Sequence, residues 1–289
     1  MMTARPLILV GGGLAGLALG LALRRRGVPV TLFEAGRYPR HRVCGEFLSG
    51  TGVGVLGALG LNEALAARGA REARTAAFYS GNLATSPRDL PAGALCLSRH
   101  ALDDALAAAF TAAGGDLRAG ERWNGDATAA GVVRATGRRI QAAEAGWRWY
   151  GLKAHARGVA PTADLEMHVH PDGYVGLCRV EGGRVNVCGL FRARAAEGDL
   201  KVRWRERLAG PPGSALRMRL ATADWDEASF CAVAGLTLRP WRAADRGECC
   251  VGDALGMIPP VTGNGMSLAL ESAALAADPL AAWSRGGAS

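Results

Sequence analysis

Three glycines, Gly11, Gly13 and Gly16, constrain the fold of this chain more than any other feature of it. They follow residues 6–10, a continuous apolar run of the kind a strand needs when both its faces are buried. Residues 14–26 read as a helix that Gly27 stops, and residues 28–34 read as a second strand. Strand, glycine turn, helix, strand is a βαβ unit, and it demands a parallel sheet. Gly11 allows the tight turn, Gly13 lets the backbone approach a pyrophosphate, and Gly16 lets helix and strand pack closely. The helix start at Leu14 and Ala15 offers N–H donors and a positive dipole to phosphate. Glu34 ends the second strand about twenty residues on, where a carboxylate accepts from ribose hydroxyls. The segment therefore predicts a dinucleotide site.

The stretch from Leu7 to Leu23, with Arg5 before it and Arg24, Arg25 and Arg26 after it, also resembles a signal peptide or a membrane span. Its glycines sit at turn and packing positions, which the βαβ reading explains and a membrane reading does not, and it is short for a span. The 289 residues can bury a large core in one domain or two. The formal charge of +8 comes from scattered arginines, with Lys153 and Lys201 the only lysines and no basic stripe interleaved with aromatics. We expect no nucleic-acid partner, and membrane-surface association is not indicated. The seven cysteines show no CxxC spacing and no accompanying His cluster, so no metal site and reduced thiols in a cytoplasmic protein are expected.

Further along, residues 36–52 read as a loop, 53–68 and 99–113 as helices, and Val132-Val133 as a short strand running into Ala135-Thr136-Gly137. Between 147 and 191 the apolar and polar residues alternate, broken at Asp172-Gly173 and Gly182-Gly183, which reads as an antiparallel meander. A helix over 200–209, a strand over 248–252 and an Ala-rich helix over 264–277 follow. The expected fold class is α/β: a Rossmann-like nucleotide-binding domain (1–75, 95–145 and 245–289) with an inserted, mostly β substrate domain (76–94 and 146–244). A second chemical segment follows the late strand: Asp253, then a loop through Pro260, Gly263, Asn264, Gly265 and Met266. Asp253 can take ribityl hydroxyls, and the loop amides with the helix start can face the pyrimidine end of a flavin. A capped helix after a loop is the alternative reading of the same residues.

Taken in order, these segments resemble the flavoprotein superfamily of aromatic hydroxylases, flavin halogenases and geranylgeranyl reductases. The resemblance rests on the GxGxxG turn, on Pro39-Arg40-x-Arg42-x-Cys44-Gly45-Glu46, on Arg99-x-x-Leu102-Asp103 and on GDxxGxxxPxTGxG from Gly252. It implies FAD as cofactor. The glycines and Glu34 would hold the ADP half, Asp253 and the loop behind it the ribityl chain and flavin, and Arg42 and Arg99 the region of the phosphates and ribityl. Cys44-Gly45-Glu46 and the spacing of Asp253, Pro260, Thr262, Gly263 and Gly265 resemble the reductases. The hydroxylases usually carry His at the place of Gly256, and their Asp-Gly motif is replaced here by Ala135-Thr136-Gly137. The halogenases resemble the chain at Trp147-x-Trp149, but Tyr150-Gly151 stands where they continue with Ile-Pro. The family usually continues with further helices, so a compact or shortened member is expected.

Cys44 can contact flavin or substrate, or be a small buried hydrophobe. Lys153 and His155 share one side of a strand. They read first as a solvated cation and a satisfied histidine, and second, with Glu46, as substrate-binding candidates. No catalytic residue is assigned. The function implied is FAD-dependent reduction of a C=C bond in a small hydrophobic, isoprenoid or polyketide-like substrate by hydride from reduced flavin. NAD(P)H is one candidate electron donor. A flavin monooxygenase or halogenase is the rival enzyme, and a non-catalytic FAD-binding protein the rival outside enzymes.

Overall fold

A computed structural model describes residues 4–138, 145–194, 202–236 and 247–287. The N-terminal unit forms as its pattern requires. Strand β1 (Leu7–Val10) leads through the glycine turn into α1 (Leu14–Arg25), which returns to β2 (Val30–Glu34), paired parallel to β1 with Leu7 opposite Val30. The apolar stretch that could be read as a membrane span is this buried strand and its helix. Among the described residues, no helix is long and apolar enough to cross a membrane.

The next elements are β3 (Phe47–Leu48), α2 (Thr51–Ala58), α3 (Asn62–Ala67), β4 (Arg71–Ser80), β5 (Leu83–Ala84), β6 (Arg88–Cys96) and α4 (Arg99–Ala112). The helical pattern over 53–68 is thus two short helices, broken at Gly60, whose φ of +59° is left-handed. Strands β7 (Asp116–Ala119) and β8 (Val132–Arg134) complete a parallel sheet in the order β7-β2-β1-β8. Helices α1 and α4 bury Leu17, Leu21, Leu102, Leu106 and Phe110 against it.

The remaining elements are β9 (Trp147–Arg157), β10 (Leu165–His170), β11 (Gly173–Arg179), β12 (Val185–Arg194), α5 (Trp204–Ala209), α6 (Ala215–Arg219), β13 (Asp224–Leu236) and α7 (Gly265–Ser284). The strands belong to a larger sheet, in the order β13-β9-β12-β11-β10-β4-β6-β3 with β5 on β4, whereas α7 packs its Leu270, Ala273 and Ala277 into the core around α1. The meander holds for β10, β11 and β12, whereas β9 lies on the far side of β12. β4 joins parallel to β10, and β13 forms the edge; alternation alone did not announce either strand. The strand expected over 248–252 reduces to one bridge, Cys250 to Arg134, because the chain turns at Gly252 into a short 3-10 turn. The last helix runs past Pro279 to Ser284, longer than its apolar pattern suggests.

Strand β9 shows how the large sheet serves the site. Leu152, Ala154 and Ala156 pack on one face against Trp204, Leu208, Leu216 and Leu220 of α5 and α6. Lys153 and His155 point to the other face, and the segment 41–46 crosses it.

Candidate cofactor cradle and active site

The three glycines of the turn have different tasks. Gly11 has φ +109°, and a side chain on it would run into the Ala135 carbonyl. A side chain on Gly16 would run into the carbonyl of Gly11. Both are therefore required by the fold. A Cβ on Gly13, by contrast, would meet nothing nearer than Arg99 Nη2 at 4.0 Å. Space thus lies open at the N-terminus of α1, next to a guanidinium. Leu14 and Ala15, the first residues of that helix, are buried, and the first turn carries no acid to compete for its amides.

Glu34 faces this turn from the end of β2. Its Oε2 accepts from the Gly12 amide at 2.8 Å, and its Oε1 from the Gly36 amide at 2.7 Å and Arg40 Nη1 at 2.6 Å. Arg42 Nη2 lies 3.7 Å from Oε2. Burial works against the charge, but Arg40 and the two amides win and hold the carboxyl at about 2. The acid read as a ribose acceptor is therefore also the clamp that closes the glycine turn. The Tyr38 hydroxyl donates to the Gly12 carbonyl at 2.5 Å.

Arg99 opens α4, capped by Ser98, and forks onto the fully buried Asp103 at 2.7 and 2.9 Å. Asp253 follows the turn at Gly252. Burial raises its carboxyl, with the charges of Arg99 and Arg138 acting against that, and it makes no hydrogen bond among the described residues. Beyond it, the loop through Pro260 is exposed, Gly263 is left-handed at φ +70°, and α7 starts at Gly265 with Met266 buried. The Ser49 hydroxyl donates to Asn264 Oδ1 at 2.9 Å and pins the loop to the end of β3.

Several buried guanidinium nitrogens have no hydrogen-bond partner: Nε and Nη2 of Arg40, Nε of Arg42 and Nη1 of Arg138. An open helix N-terminus beside a guanidinium suits phosphate oxygens, and a half-buried carboxylate with no hydrogen bond suits hydroxyls. The residues present thus fit a dinucleotide carrying a hydroxylated chain.

Glu46 sits beside this cradle, joined to it by the Arg99 amide, which donates to Oε1 at 3.0 Å. It is fully buried and left-handed, φ +54°, a strained state for a non-glycine residue. Lys153 Nζ lies 3.2 Å from Oε1 and His155 Nε2 lies 2.6 Å from Oε2. Burial opposes the charge on Glu46, but His155 and Lys153 hold its carboxyl below the usual range. Lys153, read from the sequence as solvated, is in fact fully buried, because segment 41–46 covers its face of β9. His155 is only half satisfied: its Nδ1 has no partner. His41 places Nδ1 3.3 Å from Lys153 Nζ and stacks on His100 with ring centres 4.6 Å apart. Burial and the Lys153 charge lower His41 to about 4, so it is neutral at pH 7.

Histidines that form no cluster in the sequence therefore meet in space. Donor atoms of His41, Glu46 and His155 lie within 4.8 Å of one another, a set that could hold a metal. The Lys153 ammonium already supplies the positive charge there.

Cys44 and Gly45 are pinned by Asn186 of β12, whose amide donates to their carbonyls at 3.0 and 2.8 Å. Burial pushes the Cys44 thiol up, which makes it a protonated thiol rather than a nucleophile. Trp147 lies between Arg192 and Arg194, whose guanidinium carbons stand 4.7 and 4.8 Å from its ring centre, and is half-buried rather than core. Sequence reasoning missed Tyr38, His41, Arg138 and Asn186. The density of basic residues from Arg37 to Arg42 was the one available signal.

The chain belongs to the FAD binding domain family, whose profile matches residues 5–139 and 126–289. That profile describes a domain that binds FAD. Comparison with curated protein sequences gives no match. Among solved structures, a flavin-dependent halogenase superposes with TM-score 0.78 at 20% identity over 99% of this chain and 60% of its own. The myxobacterial chondrochloren halogenase gives 0.77 at 20% identity, covering 100% of this chain and 77% of its own. A probable FAD-dependent monooxygenase from Pseudomonas aeruginosa gives 0.69 at 18% identity, covering 97% and 86%. These likenesses are of fold. The chain spans less than two thirds of the first halogenase's length.

Proposed function

We propose that the chain binds FAD across Gly13, Glu34, Arg42, Arg99 and Asp253 and uses it to reduce a C=C bond of a small hydrophobic substrate. The observation that carries the cofactor assignment is the open space over Gly13 at the N-terminus of α1, with the Arg99 guanidinium at its border. Bound FAD supplies a hydride when reduced. The protein's residues place the cofactor, keep water away, and hold a proton donor, Lys153, in a dry position beside it. Support for reduction over oxygenation comes from Ala135-Thr136-Gly137, which replaces the hydroxylases' Asp-Gly, and from the spacing of Asp253 to Gly265.

A monooxygenase or halogenase activity is the second reading, favoured by the halogenases and the monooxygenase among the solved neighbours. Mass spectrometry of product made under oxygen-18 gas separates the two. A gain of two hydrogens without label supports reduction, and incorporated label overturns it. The cofactor site is tested by Gly13→Val. The variant should fold, since its side chain meets open space, yet lose FAD in fluorescence titration. Full FAD occupancy in the folded variant would refute the phosphate assignment.

A further inference from the structure

We infer that Lys153 and His41 form an oxygen-anion site, so that the substrate presents a carbonyl oxygen conjugated to the bond that is reduced. The inference rests on the proposed function only for the nearness of the flavin. Lys153 has three N–H donors. Two are spent, on Glu46 Oε1 at 3.2 Å and on His41 Nδ1 at 3.3 Å. The third has no partner among the described residues. The unpartnered His155 Nδ1 lies in the same fully buried cluster.

A buried cation with an unspent donor carries a desolvation cost that an oxygen anion would offset. The residues directly opposite Lys153 are Cys188 on β12 and Cys231 on β13, both small and half-buried, and His41 and Cys44 on the covering segment are half-buried too. The titratable and charged groups facing Lys153 are Glu46, His41, His155, Cys188 and Cys231; behind them lie His100 and the guanidiniums of Arg42 and Arg99, both of which face the carboxylate of Asp103. Glu46 is the carboxylate in direct contact with Lys153. It is already shared among Lys153, His155 and the Arg99 amide, so what is left for a ligand is the third N–H of the Lys153 ammonium. An isolated alkene offers nothing to this charge. A carbonyl that turns into an enolate as hydride arrives is stabilised by it at the moment the negative charge develops.

The test uses 4-chlorophenol, whose phenolate mimics an enolate. Calorimetry on the FAD-loaded protein should show binding that tightens as the phenol ionises, with a long-wavelength charge-transfer band if the phenolate stacks on flavin. Lys153→Met should weaken it by about tenfold or more while FAD binding holds. Because that variant strands a buried Glu46, the doubly neutral Glu46→Gln/Lys153→Met protein serves as the folded control and should lose the phenolate too. Equal affinity in the folded variants, or no binding by the wild-type protein, overturns the inference. So does tight zinc binding that displaces the phenolate and is lost in His155→Ala, since the cluster would then be a metal site. If FAD does not bind at all, the proposed function fails. Calorimetry on the apoprotein then still decides the oxygen-anion site.

Discussion

Glu34 and Glu46 are both buried carboxylates held below their usual range, yet they are built in opposite ways. Glu34 is satisfied almost entirely by its own neighbourhood: the amides of Gly12 and Gly36 and the guanidinium of Arg40. Glu46 is satisfied by distant parts of the chain: Arg99 at the head of α4, and Lys153 and His155 on β9. The first carboxylate closes a local turn and leaves neighbouring donors unspent for a cofactor. The second neutralises a cation that a large sheet has buried, and it adopts a strained backbone to do so. A dinucleotide turn can be shared by many folds and chemistries, whereas the cluster around Glu46 is particular to this tertiary arrangement.

The comparison breaks most visibly at Glu46. Glu46→Ala leaves Lys153 buried without its anion and should cost about 3–5 kcal/mol in urea unfolding. A loss below about 1 kcal/mol would mean that Lys153 finds another partner or water, and the contrast with Glu34 would collapse.

Acid titration separates the two regions next. Glu34 is lowered from 4.5 to about 2, so its contribution is present above about pH 4.5 and is lost as pH falls toward 2. Glu166, which accepts from His168, Thr162 and Arg219 on the large sheet, is also lowered to about 2 and acts in the same window. Glu34→Gln should therefore reduce the steepness of the stability curve between pH 4.5 and 2, with Glu46 and Glu166 supplying part of what remains. An unchanged slope would show that the Gly12 and Gly36 amides do not hold the ionised form.

Asp253→Ala should weaken FAD binding by roughly 1–3 kcal/mol, because hydroxyls that would be buried lose their acceptor. Fluorescence titration measures it, and an unchanged affinity would detach Asp253 from the cradle.

The last test concerns His41. It is lowered from 6.5 to about 4, so the unfolded chain takes up a proton between those values while the folded chain does not. Stability should fall as pH drops from 6.5 to 4, and His41→Gln should make that fall shallower, with His170, which is lowered as well, supplying part of the rest. Histidine titration by carbon-13 NMR gives the same answer directly: in Lys153→Met the His41 signal should titrate at a higher pH than in the wild-type protein.

The legibility of each region follows from its construction. The turn over Gly11 to Gly16 and its acid could be read because every requirement is local: a buried strand, a helix start, and a carboxylate one strand away. The sequence already assigned Gly11 the turn, Gly16 the close packing and Gly13 the approach to phosphate; the structure adds the partners, the Ala135 carbonyl for Gly11 and the Gly11 carbonyl for Gly16. β4 and β13 escaped notice because sheet edges and mixed pairings do not impose clean alternation. Lys153 looked solvated because alternation along Leu152 to Ala156 separates two faces without saying what covers either one.

By itself, then, the sequence determined the βαβ unit, the family's cofactor class, and the positions from which Arg42, Arg99 and Asp253 could act. Those depend on backbone geometry and on spacings of a few residues. Only the tertiary structure decided that Glu46, Lys153, His155 and His41 form one buried cluster. Their pairing depends on segment 41–46 crossing a strand more than a hundred positions away in the chain, and on burial that gathers an ammonium, a carboxylate and two imidazoles into a dry site.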